Sequence, residues 1–210
     1  QIDFFSDSFS ARFDLQPYQY KMIRSIDFYN YVLEKAKDKP NIHFKNAGVK
    51  AVVNNNENST ASVWADEETY TADYVFNSIT LQEHGLNAEK KNKNQYYLLQ
   101  HFKGWLIETP SSKFDERIAT FMDFRVSQQF GTTFMYMLPV ASNKALVEYT
   151  LFTENLLEQQ EYDTALKNYI SGYLKLENYT ITEQEFGVIP MTNVPFSKGA
   201  GKVVNIGTAG

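Results

Sequence analysis

The chain of 210 residues contains no cysteine, which removes disulfides, thiol nucleophiles and Cys-ligated metal centres from consideration. It has three histidines, His43, His84 and His101, and no two are spaced as paired metal ligands are, so metal catalysis is not expected. A basic surplus is also missing: 20 Lys and Arg against 25 Asp and Glu give a net charge of −5. That balance excludes the clustered cations a nucleic-acid partner requires. No apolar run approaches the roughly 20 residues that span a bilayer. The chain opens on Gln1 with no basic-then-apolar leader, and it closes on "KVVNIGTAG" (202–210), a strand running into a glycine-bearing turn. Such turns normally lead into a helix whose free N–H groups hold a phosphate or another polar cofactor group. The expectation is therefore an internal piece of a larger protein, cut within a ligand-binding element.

Apolar side chains, by contrast, are plentiful: 43% of residues are hydrophobic, among them 16 Phe and 14 Tyr. Rings in that number can fill a core or line a pocket for a large apolar ligand. The spacing predicts a helix over "SIDFYNYVLEKAKD" (25–38), with Ser25 as N-cap, an apolar stripe of Ile26, Tyr29, Leu33 and Ala36, and Pro40 as the stop. Short strands and turns follow, with a hairpin tip at 54–59 and a second turn at 66–68. Asn58-Ser59-Thr60 matches a glycosylation sequon, a triplet that polar hairpin tips also produce by chance. The lysine-rich stretch 83–95 reads as a linker. Beyond it, "YYLLQHFKGWLIET", "ATFMDFRV", "TTFMYMLPV" and "ALVEYTLF" predict an antiparallel sheet, and "YTITEQEFGVIPM" a further strand. Tyr162, Ala165, Leu166, Tyr169, Ile170, Tyr173 and Leu174 recur at helical spacing, so this helix should cover one face of the sheet.

Strand alternation puts Glu148 with Leu146, Thr150 and Phe152, opposite Val147, Tyr149 and Leu151. Either it reaches solvent from an edge strand, or it is buried, in which case its pKa rises and it can donate a proton. The same alternation puts Phe121, Asp123 and Arg125 on one face, where the Asp–Arg couple is a structural ion pair or part of a site. His101 shares a side with Leu99, Lys103 and Trp105, as a satisfied structural histidine or a catalytic one. Arg24, just ahead of a helix, can reach a carboxylate or a phosphate, or stay solvated. These features define an α+β chain without fixing a reaction.

The segments "PYQYKMIRSIDFY", "LLQHFKGWLIET", "MDFRV", "LVEYTLF", "EFGVIPMT" and "VVNIGTAG" resemble, in that order, segments of bacterial lycopene β-cyclases. The resemblance implies a flavoprotein of the glutathione-reductase-like superfamily. Its antiparallel-sheet substrate lobe would comprise 1–25 and 96–200. An incomplete Rossmann-type FAD lobe would comprise 26–82, with 201–210 its cofactor-contacting strand and turn. The implied activity is closure of an acyclic carotene end group, as in lycopene, to a β-ionone ring. It proceeds by protonation and carbocation closure with reduced FAD, NAD(P)H being a candidate reductant. Glu148 falls in the strand motif that carries the family's acid, with Asp123 as the second catalytic candidate. Gly207, Thr208, Ala209, Gly210 and Arg24 are the expected FAD contacts. His101, Trp105, Arg125, Phe134 and Tyr136 are the expected substrate contacts. The family's Gly-x-Gly-x-x-Gly turn would precede Gln1, and Thr208 stands where wider relatives carry Asp after the glycine. A lipid-dissolved substrate implies peripheral contact with the inner membrane from the cytoplasm. The competing expectations are a flavin-dependent hydroxylase or other redox member of the superfamily, and a non-catalytic carotenoid-binding module.

Overall fold

The computed structural model describes residues 1–79 and 94–210; of Thr208 only the backbone is described. The stretch read as a linker, 83–95, and His84 with it, therefore lies almost wholly outside the described residues. The chain forms two compact units, 1–21 with 96–192 and 22–95 with 193–210.

The first unit is built on a seven-stranded sheet. Its strands are β1 (Ile2–Ser6), β2 (Phe9–Phe13), then β7 (Tyr97–Glu108), β8 (Ala119–Asp123), β9 (Thr132–Ala141), β10 (Lys144–Thr153) and β11 (Thr180–Thr192), in the order β11-β7-β10-β9-β8-β1-β2. From β11 to β8 every neighbour is antiparallel, as the alternating patterns require. The sheet does not end there. Residues 2–13 fold into a hairpin that sequence reading leaves unassigned, and β1 joins β8 in parallel, making the sheet mixed. Each arm of "IDFFSDSFSARF" is only five residues long, and its place in the sheet is set by the distant strand β8.

Helix α2 (Gln159–Gly172) covers one face. Its entry is fixed by the Glu161 carboxylate, which accepts a hydrogen bond from the Glu158 N–H at 2.8 Å. Tyr162, Leu166, Tyr169 and Ile170 pack against Trp105, Ile107, Met135, Val147, Tyr149 and Leu151, all buried. Each such side chain removed from water contributes roughly 1.5–3 kcal/mol.

In the second unit, α1 spans Ser25–Ala36, and its N-cap is Arg24 rather than Ser25, with no side-chain capping bond. Of the expected stripe, Ala36 is buried while Ile26, Tyr29 and Leu33 are exposed. Strands β3 (Val49–Asn55), β4 (Thr60–Ala65) and β5 (Glu68–Ala72) make an antiparallel meander. A second small sheet joins β6 (Val75–Asn77), β12 (Gly199–Ala200) and β13 (Val203–Asn205). Residues 193–200 thus group with this unit, because Gly199 and Ala200 pair with Val204 and Val203. Strand β13 lies parallel to β6 and runs into a short 3-10 turn, Gly207–Ala209.

Candidate active site

The long sheet has two chemically different faces. Odd-numbered positions of β7 and β10, with Thr133, Met135 and Met137 of β9, turn toward α2. Even-numbered positions turn away from it, and there Phe134, Tyr136 and Phe152 join a chain of rings from β1, β2 and β8. Phe4 stacks on Phe13 and Phe121; Phe121 meets Tyr20 and Tyr136; Tyr136 meets Phe134; and Phe134 meets Phe124 and Phe152, with ring centroids 5.1–6.3 Å apart. Most of these contacts are edge-to-face, the arrangement the ring quadrupole favours. The result is a continuous apolar track from the β1–β2 hairpin to β10.

Glu148 stands at the end of that track. Its cross-strand neighbours are Tyr136 on β9 and Gly104 on β7, and Gly104 is in turn paired with Glu185 on β11. The Thr150 hydroxyl donates to Glu148 Oε1 at 2.7 Å. Burial pushes the Glu148 carboxyl up to about 7, opposed by the Thr150 bond and reinforced by the charge and hydrogen bond of Glu185. At neutral pH a large share of this group therefore carries its proton. Burial also raises Tyr136, and the charge of Glu148 adds to that shift. Glu148 can act here as a proton donor toward an apolar molecule lying on the rings.

Of the residues named from sequence, Glu148, Phe134 and Tyr136 share this face. His101, Trp105, Asp123 and Arg125 do not join them. His101 is sealed under α2, its Nδ1 on the Tyr162 hydroxyl at 2.6 Å and its Nε2 on Thr153 Oγ1 at 2.7 Å, and burial lowers its pKa. Trp105 is in the same core, and its Nε1 has no hydrogen-bond partner among the described residues. The expected common face of Phe121 and Asp123 is corrected by a bulge. Between Thr120, paired with Met137, and Asp123, paired with Met135, β8 spends one residue more than β9. Phe121 therefore stays on the aromatic track while Asp123 turns beneath α2. There Asp123 is fully buried, accepts from Tyr169 at 2.9 Å, and takes both Nε and Nη2 of Arg125 at 2.9 and 2.6 Å. Arg125 is further stacked over Phe5 and Tyr173. A cavity of about 660 Å³ opens beside α2, lined by Arg125, Tyr169, Tyr173 and the carboxylates Glu158 and Glu161. It lies on the face opposite Glu148, and Val126, Phe130, Tyr149 and Ala165 also line it, so it mixes apolar surface with charged groups.

Sequence reading missed Gly104 and Glu185. The signal was there: an isolated glycine inside a strand marks a close approach, and Glu185 sits in the quoted "EFGVIPMT".

In the second unit, Gly207 holds φ +58°, and among the described residues, its chain neighbours aside, nothing lies within 4 Å of the position a Cβ would take. The backbone is bare on that side and open to a polar cofactor group, while Ile206 N–H bonds Asn77 O at 2.8 Å to hold the strand end. Arg24 lies 3.9 Å from Asp27 at the exposed start of α1. Among the described residues no cluster of His, Asp and Glu is arranged to hold a metal ion, and no helix is long and apolar enough to cross a membrane.

The chain is similar in fold to flavin-dependent proteins. The flavin-dependent brominase Bmp2 matches over 99% of this chain and 54% of its own at 14% identity and a TM-score of 0.60. A flavoprotein/dehydrogenase from Cytophaga hutchinsonii matches over 99% and 54% at 10% identity and 0.59. A variant of HpxO from Klebsiella pneumoniae, complexed with FAD, matches over 88% and 48% at 13% identity and 0.52. The chain thus spans about half the length of these proteins. No curated protein matches it. A family model described as lycopene cyclase protein matches residues 6–210, and the chain belongs to that family.

Proposed function

We propose that the protein closes the acyclic end groups of lycopene or a related carotene to β-ionone rings, without net redox change. The observation that carries this reading is a half-buried carboxyl, raised to about 7, at the end of an aromatic face. Alkene protonation needs a neutral acid, and partial burial beside Leu146, Tyr136 and Phe152 favours the protonated form of Glu148. Glu148 gives its proton to the terminal double bond. The tertiary cation so formed is attacked by the neighbouring double bond, and loss of a ring proton completes the isomerisation. Ring faces of Phe134 and Tyr136 can lie against the polyene and stabilise positive charge.

Gly207, Thr208, Ala209, Gly210 and Arg24 are the residues we assign to FAD, on the open backbone at Gly207 and the parallel β6–β13 pair. Reduced FAD, when bound, supplies an electron-rich group that favours a cationic intermediate. NAD(P)H as the reductant, and work at the inner membrane surface as a lipid-dissolved substrate would require, belong to the same proposal.

The test is conversion of lycopene by the full-length protein with reduced FAD. Many rings should form per flavin, with no nicotinamide consumed in proportion. One nicotinamide oxidised per product, with oxygen in that product, would establish a hydroxylase instead.

A further inference from the structure

Gly104 is the one position in its cross-strand row without a side chain, and the row reads Tyr136, Glu148, Gly104, Glu185 across four strands. The space is in use. A Cβ built on Gly104 would lie 2.7 Å from Glu185 Oε1, 2.8 Å from its Cγ and 3.1 Å from Leu146 Cδ1. The Glu185 side chain therefore lies over the bare backbone, pointing along the row toward Glu148. Any larger residue at 104 would displace it. Glu185 belongs to the edge strand and is exposed, whereas Glu148 is half-buried in the sheet's interior.

We propose that Glu185 is the partner carboxyl of Glu148, and that the two share one proton which is lent to the substrate and then taken back. The inference rests on the cyclase reading. Before reaction the proton is on Glu148 and Glu185 is a carboxylate. The Oε–H bond of Glu148 breaks as the new C–H bond forms on the terminal alkene carbon. The Glu148 carboxylate then faces the carbocation, with Glu185 behind it. Ring closure moves the positive charge, a ring C–H bond breaks, its electron pair forms the ring double bond, and the proton returns to the carboxyl pair. No oxidant, reductant or outside base enters, and the pair ends as it began. Two negative charges held close together favour that return, since like charges raise proton affinity. Glu185 acts through Glu148 and is a positioning residue.

The groups facing Glu148 along the row are Tyr136 from β9 and Glu185 from β11, while Thr150 on its own strand donates a hydrogen bond. Tyr136 stays neutral over the working range because its own ionisation is pushed up. Glu185 is thus the charged neighbour whose removal should move Glu148.

The experiment is an NMR titration of the full-length protein carrying 13C-labelled glutamate carboxyls, with Glu148 identified as the resonance lost in Glu148→Gln. The wild-type midpoint is expected near 7. Glu185→Gln should lower it by about one pH unit, a tenfold loss of proton affinity, because a like charge is gone and shape is kept. Gly104→Ala should move it the same way by dislodging Glu185, and Glu185→Asp should restore part of the shift. The high-pH limb of cyclisation should fall in step with the midpoint. An unmoved midpoint in Glu185→Gln overturns the pair and leaves the proposed reaction standing. The titration needs no carotene, so a protein that shows the shift but does not cyclise lycopene overturns the reaction and leaves the pair standing.

Discussion

Beneath α2, three ionisable groups of the sheet are tied to fixed partners: Asp123 to Arg125 and Tyr169, Lys103 to Asp163 at 2.5 Å, His101 to Tyr162 and Thr153. On the other face Glu148 has a hydroxyl and a second carboxyl beside it, and its surroundings favour the protonated form. The same strands, alternating residue by residue, produce both environments. A buried charge with a fitted counter-charge is costly to leave unpaired, whereas a half-buried acid without one keeps its proton and can donate it.

That contrast can be broken most forcefully at Asp123. Asp123→Ala leaves the guanidinium of Arg125 and the hydroxyl of Tyr169 without their shared acceptor, and should cost about 3–5 kcal/mol in chemical denaturation. The opposite sign is expected on the other face. The folded-state pKa of Glu148, about 7, exceeds the ordinary value of 4.5, so its contribution to stability is fully present below about 4.5 and is lost as pH rises through 7. Glu148→Gln should therefore leave stability little changed at pH 4 and raise it by up to about 3 kcal/mol at pH 8 to 9, measured as a difference in denaturation midpoint. Tyr162→Phe removes the hydroxyl that bonds His101 Nδ1, and should cost about 1–3 kcal/mol near neutrality. Smaller still is the acid response of His101. Burial holds its pKa below the usual 6.5, so its contribution is present above that value and fades as pH falls through the lowered one. His101→Phe should flatten that limb of the stability profile.

Much of this contrast could be read from sequence, and the exceptions have physical causes. Period-two alternation in "ALVEYTLF" placed Glu148 opposite Val147, Tyr149 and Leu151, which β10 confirms, and the helical repeat from Tyr162 onward identified the element covering the second group. Alternation failed at Phe121 and Asp123 because a bulge inserts a residue, and a bulge is a property of the strand pair rather than of either strand alone. It also could not decide which face of β7 would be dry, so His101 and Trp105 were grouped with the substrate contacts although they pack under α2. The place of the β1–β2 hairpin in the sheet depends on a parallel partner more than 100 residues away, which no local pattern encodes. Glu185 was visible as a residue, but its relation to Glu148 exists only through the register of β11, β7 and β10.

The central claim is that the acid of the reaction lies on the aromatic face and that the helix-covered face only supports it. Side-by-side cyclisation assays of Glu148→Gln and Asp123→Asn test it most directly, with lycopene, reduced FAD and rates normalised to folded protein. The account predicts that Glu148→Gln loses at least the roughly hundredfold typical of removing a general acid, while Asp123→Asn retains activity within a few-fold at reduced stability. Near wild-type turnover by Glu148→Gln, with loss in Asp123→Asn, would place the acid beneath α2 and contradict it.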